Sequence, residues 1–229
     1  MIVYEATKEE FCDSVLEGSI TDEIEHIYIS KIGKSPKSQV RSWRNSMQYM
    51  RNVLEDSEIP GDCGVAIEFT IPTTSKRIDF ILTGLNRFQD DSVVIIELKQ
   101  WDCALKVDGK DGIVKTILGG GINETTHPSY QAWSYAQLIK YFNQTVDEEE
   151  IDLYPCAFLH NYELEGNDPI YSDQYQLYIN EAPMFGSKDF EKLRNFIKKY
   201  VTEGDNKEGL YIIENGKIKP SKMLQDSLI

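Results

Sequence analysis

Two spacings of apolar residues alternate along the chain. Val93-Val94-Ile95-Ile96 is an unbroken β-branched run, the pattern of a strand buried on both faces. Val65-Ala66-Ile67-Glu68-Phe69-Thr70-Ile71 and Arg77-Ile78-Asp79-Phe80-Ile81-Leu82 are similar runs, each broken by one acid. Residues 72–76 read as a turn and 84–91, rich in Gly, Asn and Asp, as a loop. Strands at 65–71, 77–82 and 93–99 therefore form a meander. A different period rules 38–54, where Val40, Trp43, Met47, Met50 and Leu54 recur at helical spacing and make one apolar stripe.

The same reading extends over the rest of the chain. Two short helices are expected at 7–16 and 21–32, with Thr7 and Glu10 as a start signal. A hairpin is expected at 103–107 and 113–118, with the glycines of 119–121 as a turn or hinge. Pro128 suits the first turn of a helix over 127–142, with Ala132, Tyr135, Leu138, Ile139 and Phe142 facing a core. An acidic loop at 146–151 precedes a strand at 153–160. A loop at 162–173, a strand at 175–179 and a helix at 187–200 come next. Ser187 is the expected cap of that helix, and Phe190, Leu193, Phe196 and Ile197 its inner face. Leu210–Ile213 and Lys217–Ile218 read as a small hairpin on Asn215-Gly216, followed by a polar tail. The expected fold class is α/β, a mixed central sheet flanked by helices. Its parts are N-terminal helices (1–60), a core with an inserted hairpin (61–202) and a C-terminal hairpin and tail (203–229).

Composition changes this picture little. With 229 residues, 41% hydrophobic and 27% charged, the chain can bury one sizeable core. No apolar run reaches membrane-spanning length and no leader pattern opens the chain, so a cytoplasmic protein with no membrane association is expected. The four cysteines lack metal-ligand spacing and read as reduced packing residues. The net charge of −14 opposes any protein that coats nucleic acid by positive field alone. A local basic face over 31–37, continued by Arg41, Arg44 and Arg51, is one answer; the other is that these side chains are only the solvated side of a helix.

The acids inside the strands carry the chemistry. Glu97 and Lys99 lie on one face of their strand, with Leu98 on the other. An ion pair of their own would account for both. The meander, however, brings Asp79 beside Glu97, and two adjacent carboxylates with a lysine alongside suit a hard divalent cation, Mg2+ or Mn2+, with the Leu98 carbonyl as a further ligand. Lys99 would then hold or polarise the water that attacks a phosphorus.

This arrangement resembles the PD-(D/E)XK nuclease superfamily, in which an Asp on one strand precedes Glu-x-Lys on the next; Ile78 stands where the name has Pro. The resemblance implies a restriction-endonuclease-like core and metal-dependent cleavage of nucleic acid, DNA favoured over RNA. A further acid often completes that metal site, a role open to Glu68, which alternatively is a surface-facing charge. Gln131 and Tyr135, one turn apart on a helix, resemble the Gln-x-x-x-Tyr pair lining the site of RecB-like members. Gln137 and Tyr141 repeat the spacing, and Gln131 is preferred because it is nearer the helix start. His127 would contact phosphate or cap its helix, and Arg77, Arg41 and Arg44 are candidate nucleic-acid contacts. The run from Ile67-Glu68 through Pro72, Arg77-Ile78-Asp79 and Glu97-Leu98-Lys99-Gln100-Trp101 to His127-Pro128-Ser129-Tyr130-Gln131 is also similar to the nuclease-like N-terminal region of certain bacterial Schlafen-type P-loop ATPase/helicase proteins. That implies a role in phage defence or DNA processing, and an ATPase/helicase domain in cis or in trans, reached through the polar tail. Two other readings remain: a silent module of the same fold that binds nucleic acid or protein, and a phosphoesterase acting on nucleotides.

Overall fold

The computed structural model describes residues 1–34 and 36–219. Ser35 in the basic 31–37 segment, and the polar tail beyond residue 219, lie outside the described residues. The central sheet has six strands, four from the first half of the chain. These are β1 (Ile2–Thr7), β2 (Gly64–Thr70), β3 (Arg77–Leu85) and β4 (Asp91–Lys99), each antiparallel to the next. β8 (Asp152–Leu159) joins β4 in parallel and β9 (Met184–Gly186) joins β8 in parallel at the far edge. The expected mixed sheet is therefore present, with the acid-bearing meander at its centre.

Helices cover both faces. On one lie α1 (Lys8–Glu17), α2 (Ile20–Lys31), α3 (Lys37–Leu54) and α7 (Phe190–Tyr200). Their Phe11, Ile24, Met47, Met50 and Leu193 pack against Val65, Phe80, Val94 and Ile96. The other carries α4 (Pro128–Phe142), α5 (Gln144–Glu148) and α8 (Glu208–Asn215), packed on Ala66, Ile81 and Ile95. A small sheet of β5 (Leu105–Lys106), β6 (Ile113–Leu118) and β7 (Gly121–Thr126), with α6 (Gln176–Glu181), shares a third core with β8 around Trp101, Val114 and Tyr175.

Several elements depart from the pattern-based reading. The N-terminal part is not only helical: Ile2, Val3 and Tyr4 are buried in an edge strand. Gly119 and Gly120 both adopt positive φ and form a tight two-residue turn into β7, a strand of polar residues with little apolar signal. Residues 146–151 contain the end of α5, capped by Asn143. The strand expected at 175–179 is helical, because Tyr175 is fully buried while Leu177 points to solvent. The C-terminal hairpin is instead α8: Leu210 and Ile213 are buried, three residues apart, and Tyr211 between them is 69% exposed. Short apolar runs do not distinguish a strand from a buried helix turn, and here tertiary packing decides. α7 starts after Asp189 rather than Ser187, and Phe190 is exposed.

Candidate active site

Paired residues on β3 and β4 run from Leu85↔Asp91 to Phe80↔Ile96 and stop there. The next pair in that register is Asp79 with Glu97. Beyond it the strands separate, and the Asp79 side chain takes over the hydrogen bond that a strand partner would have made: the Leu98 N–H donates to Asp79 Oδ2 at 2.9 Å. β4 itself continues along β8 to Lys99. A gap thus opens between two strands of a buried sheet, with a carboxylate on each side.

α4 closes that gap from one face. The His127 ring accepts from the Ser129 N–H at its start, and Pro128 occupies its first turn, which fixes the helix against the sheet. Gln131 then reaches the site. Its amide donates to Glu97 Oε1 at 2.6 Å and to the Tyr135 hydroxyl oxygen at 2.9 Å, while its oxygen accepts from Lys99 Nζ at 3.0 Å. Lys99 Nζ also meets Glu97 Oε1 at 2.6 Å and lies 5.5 Å from the centre of the Trp101 ring. Asp79, Glu97, Lys99, Gln131 and Tyr135 therefore converge. Gln137 and Tyr141, the alternative register, are exposed on the outer side of α4.

Burial and crowding of like charges set the ionisation of the cluster. Burial and then the neighbouring Glu97 carboxylate push Asp79 well above the usual carboxylate range. Burial pulls Lys99 down, but Glu97 and Asp79 together hold it above its ordinary value, so it stays an ammonium. Burial and then Glu97 raise Tyr135, which remains a neutral phenol. Glu97 is only 2% exposed, and with Asp79 ionised its buried Oε2 has no hydrogen-bond donor among the described residues. An orphaned carboxylate oxygen beside a carboxylate held against its preference is a set of hard donors that fits Mg2+ or Mn2+. Among the described residues no three Asp, Glu, His or Cys side chains cluster as a complete metal cage. Asp79, Glu97 and backbone oxygen would leave the remaining positions to water or substrate, as Mg2+ commonly requires.

Glu68, whose place in β2 suggests a third ligand, points its carboxylate at other partners. The register sets it opposite Asp79, but it has φ of 59°, and the alternation of β2 breaks there: Ile67 packs towards α3 and Phe69 towards α4. The carboxylate turns to the α3 side. Oε1 accepts from Trp43 Nε1 at 2.8 Å and Gln39 Nε2 at 2.9 Å, and Oε2 pairs with Arg77 at 3.1 Å. Burial, then Asp79, raises its pKa. Its oxygens are thus already taken, and a left-handed non-glycine residue inside a strand marks stored strain beside the site.

The nucleic-acid contacts expected from sequence divide. His127 is fully buried, with Nδ1 accepting from Ser129 and Nε2 against the Ile170 carbonyl at 3.0 Å, so it caps α4 and cannot meet a phosphate. Arg77 is committed to Glu68 and to the Tyr28 hydroxyl. Arg41 and Arg44 are exposed on α3. Two groups escaped the sequence reading. Gln39 and Trp43 hold Glu68, although Trp43 looks like plain core. Gln100 donates to Ser42 and Ser46 and so ties the end of β4 to α3; its place directly after Glu-x-Lys was the available signal. Comparisons with family models, curated proteins and solved structures return no match to this chain.

Proposed function

We propose that this chain is a metal-dependent phosphodiesterase that cleaves nucleic acid, DNA favoured, on a PD-(D/E)XK-type, restriction-endonuclease-like core. The observation that carries the proposal is the convergence of Asp79, Glu97, Lys99 and Gln131 around a buried carboxylate oxygen without a donor among the described residues. A pair of acids and a lysine that served only stability would be saturated by their own contacts. Four free cysteines suit a reducing compartment, consistent with a cytoplasmic protein. No helix among the described residues is long and apolar enough to cross a membrane.

Asp79 and Glu97, with the Leu98 carbonyl, would hold Mg2+ or Mn2+, which when bound would supply a Lewis acid for the phosphate oxygens and make bound water more acidic than bulk water. Gln131 fixes the rotamer of Glu97 and leaves Oε2 pointing free. Lys99 keeps its charge beside the reacting phosphate, where it stabilises the negative charge that develops as the P–O bond breaks. Tyr135, neutral and buried, braces the Gln131 amide so that neither of these two positions drifts. A role in phage defence or DNA processing, with an ATPase/helicase domain in cis or in trans, belongs to the same proposal.

Incubation with end-labelled DNA and RNA, each with Mn2+ and with EDTA, tests it. Metal-dependent shortening of DNA is expected. Hydrolysis of nucleotides but of no polynucleotide would instead favour the small-substrate phosphoesterase, which the charge of −14 suits.

A further inference from the structure

A hollow of about 730 Å³ lies along the exposed side of α4, and Gln131 and Tyr135, both in the candidate site, form part of its wall. Tyr130, Trp133, Tyr141, Lys76 and Lys140 line the rest of interest. A second hollow of about 530 Å³ shares Trp133, Gln137 and Lys140 with the first and adds Tyr154, Tyr200 and Lys199. The two hollows adjoin at these three residues and together make a trench past a series of aromatic rings, with Asp147, Asp152 and Glu181 also in its lining.

Those rings are held rather than loose. Trp133 sits 5.9 Å from Tyr130 and 5.3 Å from Tyr178, centre to centre, and Tyr154 stacks on Tyr200 at 3.6 Å. Tyr141 is 58% exposed, which for an aromatic side chain at a groove wall leaves a face available. Lys76, Lys140 and Lys199 make no ion pair among the described residues, in a chain whose other lysines include many that do. Lys219 is left out of this set because Asp147 neutralises it.

We infer that this trench binds a single-stranded polynucleotide, with bases stacked on Trp133 and Tyr141 and phosphates paired with Lys76, Lys140 and Lys199. Aromatic faces and ammonium groups free of ion pairs along one wall, Lys199 already lying 4.8 Å from the centre of the Tyr200 ring, suit the bases and phosphates of an unpaired strand. A duplex hides its base faces within the stack, so rings along a trench offer it nothing to stack on. The inference rests on the nuclease reading for its purpose, since it gives the substrate a route to Glu97 and Lys99.

Binding is measured separately from cleavage. Fluorescein-labelled oligothymidylate and a labelled duplex of the same length are titrated with the full chain in EDTA, by anisotropy and by tryptophan emission. Single strand should bind tighter than duplex and quench the emission, since Trp43 and Trp101 are buried and Trp133 is the accessible tryptophan. Trp133→Ala and Tyr141→Ala should each weaken single-strand binding by about tenfold, the effect of losing one stacked base. Tyr141→Ala removes a largely exposed ring and keeps the test valid if Trp133→Ala fails to fold. Contacts to three phosphates give a log–log salt slope of about −2. Tighter duplex binding, or wild-type affinity in both aromatic variants, would overturn the trench. Mn2+-dependent cleavage unchanged in both variants would also sink it while leaving the nuclease reading intact. Single-strand binding lost in the variants, with no cleavage by wild type under any metal, would do the reverse.

Discussion

Asp79 is the residue most out of balance. Its carboxylate accepts the Leu98 N–H, which an amide oxygen does equally well, yet it must also tolerate Glu97 next to it. In metal-free buffer at neutral pH, Asp79→Asn should therefore melt higher than wild type, because the repulsion is gone and the hydrogen bond is kept. Folded Asp79 holds its proton to higher pH than the unfolded chain does, so its own contribution to stability declines as pH rises above about 4, the unfolded carboxylate value. The advantage of the variant should shrink on acidification, and thermal melts in EDTA at several pH values check both points. Glu68 makes the complementary case. If its oxygens belong to Trp43, Gln39 and Arg77, Glu68→Gln should leave Mn2+ affinity at the wild-type level and lower the melting temperature. Calorimetric titration with Mn2+ would contradict this by showing a tenfold loss. Sequence alone could not separate the two acids: both interrupt apolar strands, and only the backbone at Glu68, with its positive φ, turns one of them away.

At the scale of elements, α4 is the part whose placement the site depends on, and His127 sets it. Because Nδ1 accepts the Ser129 N–H, Nε2 carries the proton and donates to Ile170. Burial keeps the ring neutral in the fold down to about pH 4. The unfolded chain protonates it at about 6.5, so stability present above that value is lost as pH falls from 6.5 towards 4, by up to about 3 kcal/mol. His127→Asn keeps a side-chain cap without a titrating group. Its melting temperature should fall less than that of wild type between pH 7 and 5, and equal falls would remove His127 from this role. The helix and its Gln131–Tyr135 face were legible because the apolar period of 127–142 is long and Pro128 marks its start. The meander was legible for a similar reason, three β-branched runs with turn residues between them. β1, β7 and β9 were not. One is a short run at the chain start, another is made of polar residues, and the third is three residues long, so each exists through its sheet partner and not through its own pattern. α8 was misread as a hairpin because Leu210, Tyr211, Ile212 and Ile213 favour strands locally. The packing of Leu210 and Ile213 on the sheet, and the Asp205 carboxylate that accepts the Gly209 N–H, overrule that preference.

For the molecule as a whole, charge and architecture point in different directions until they are localised. A chain at −14 should repel polyanions, yet three lysines without an ion pair among the described residues, Lys76, Lys140 and Lys199, line one trench beside the candidate site. Divalent ions entering that site would bind the folded state and not the unfolded chain, so Mn2+ should raise the melting temperature, by mass action, in wild type but not in Asp79→Asn. The sharpest test of the proposed chemistry removes the charge of Lys99 without abandoning its neighbour. Lys99→Ala would leave Glu97 buried with no counter-charge, a change that costs stability in its own right. Lys99→Gln retains a donor to Glu97 instead. With Mn2+ and labelled single-stranded DNA, it should bind metal as wild type does by calorimetry, yet cleave more slowly by roughly 10²–10³, the loss expected for one preorganised electrostatic group. A Lys99→Gln protein that binds Mn2+ and cuts at the wild-type rate would contradict the mechanism.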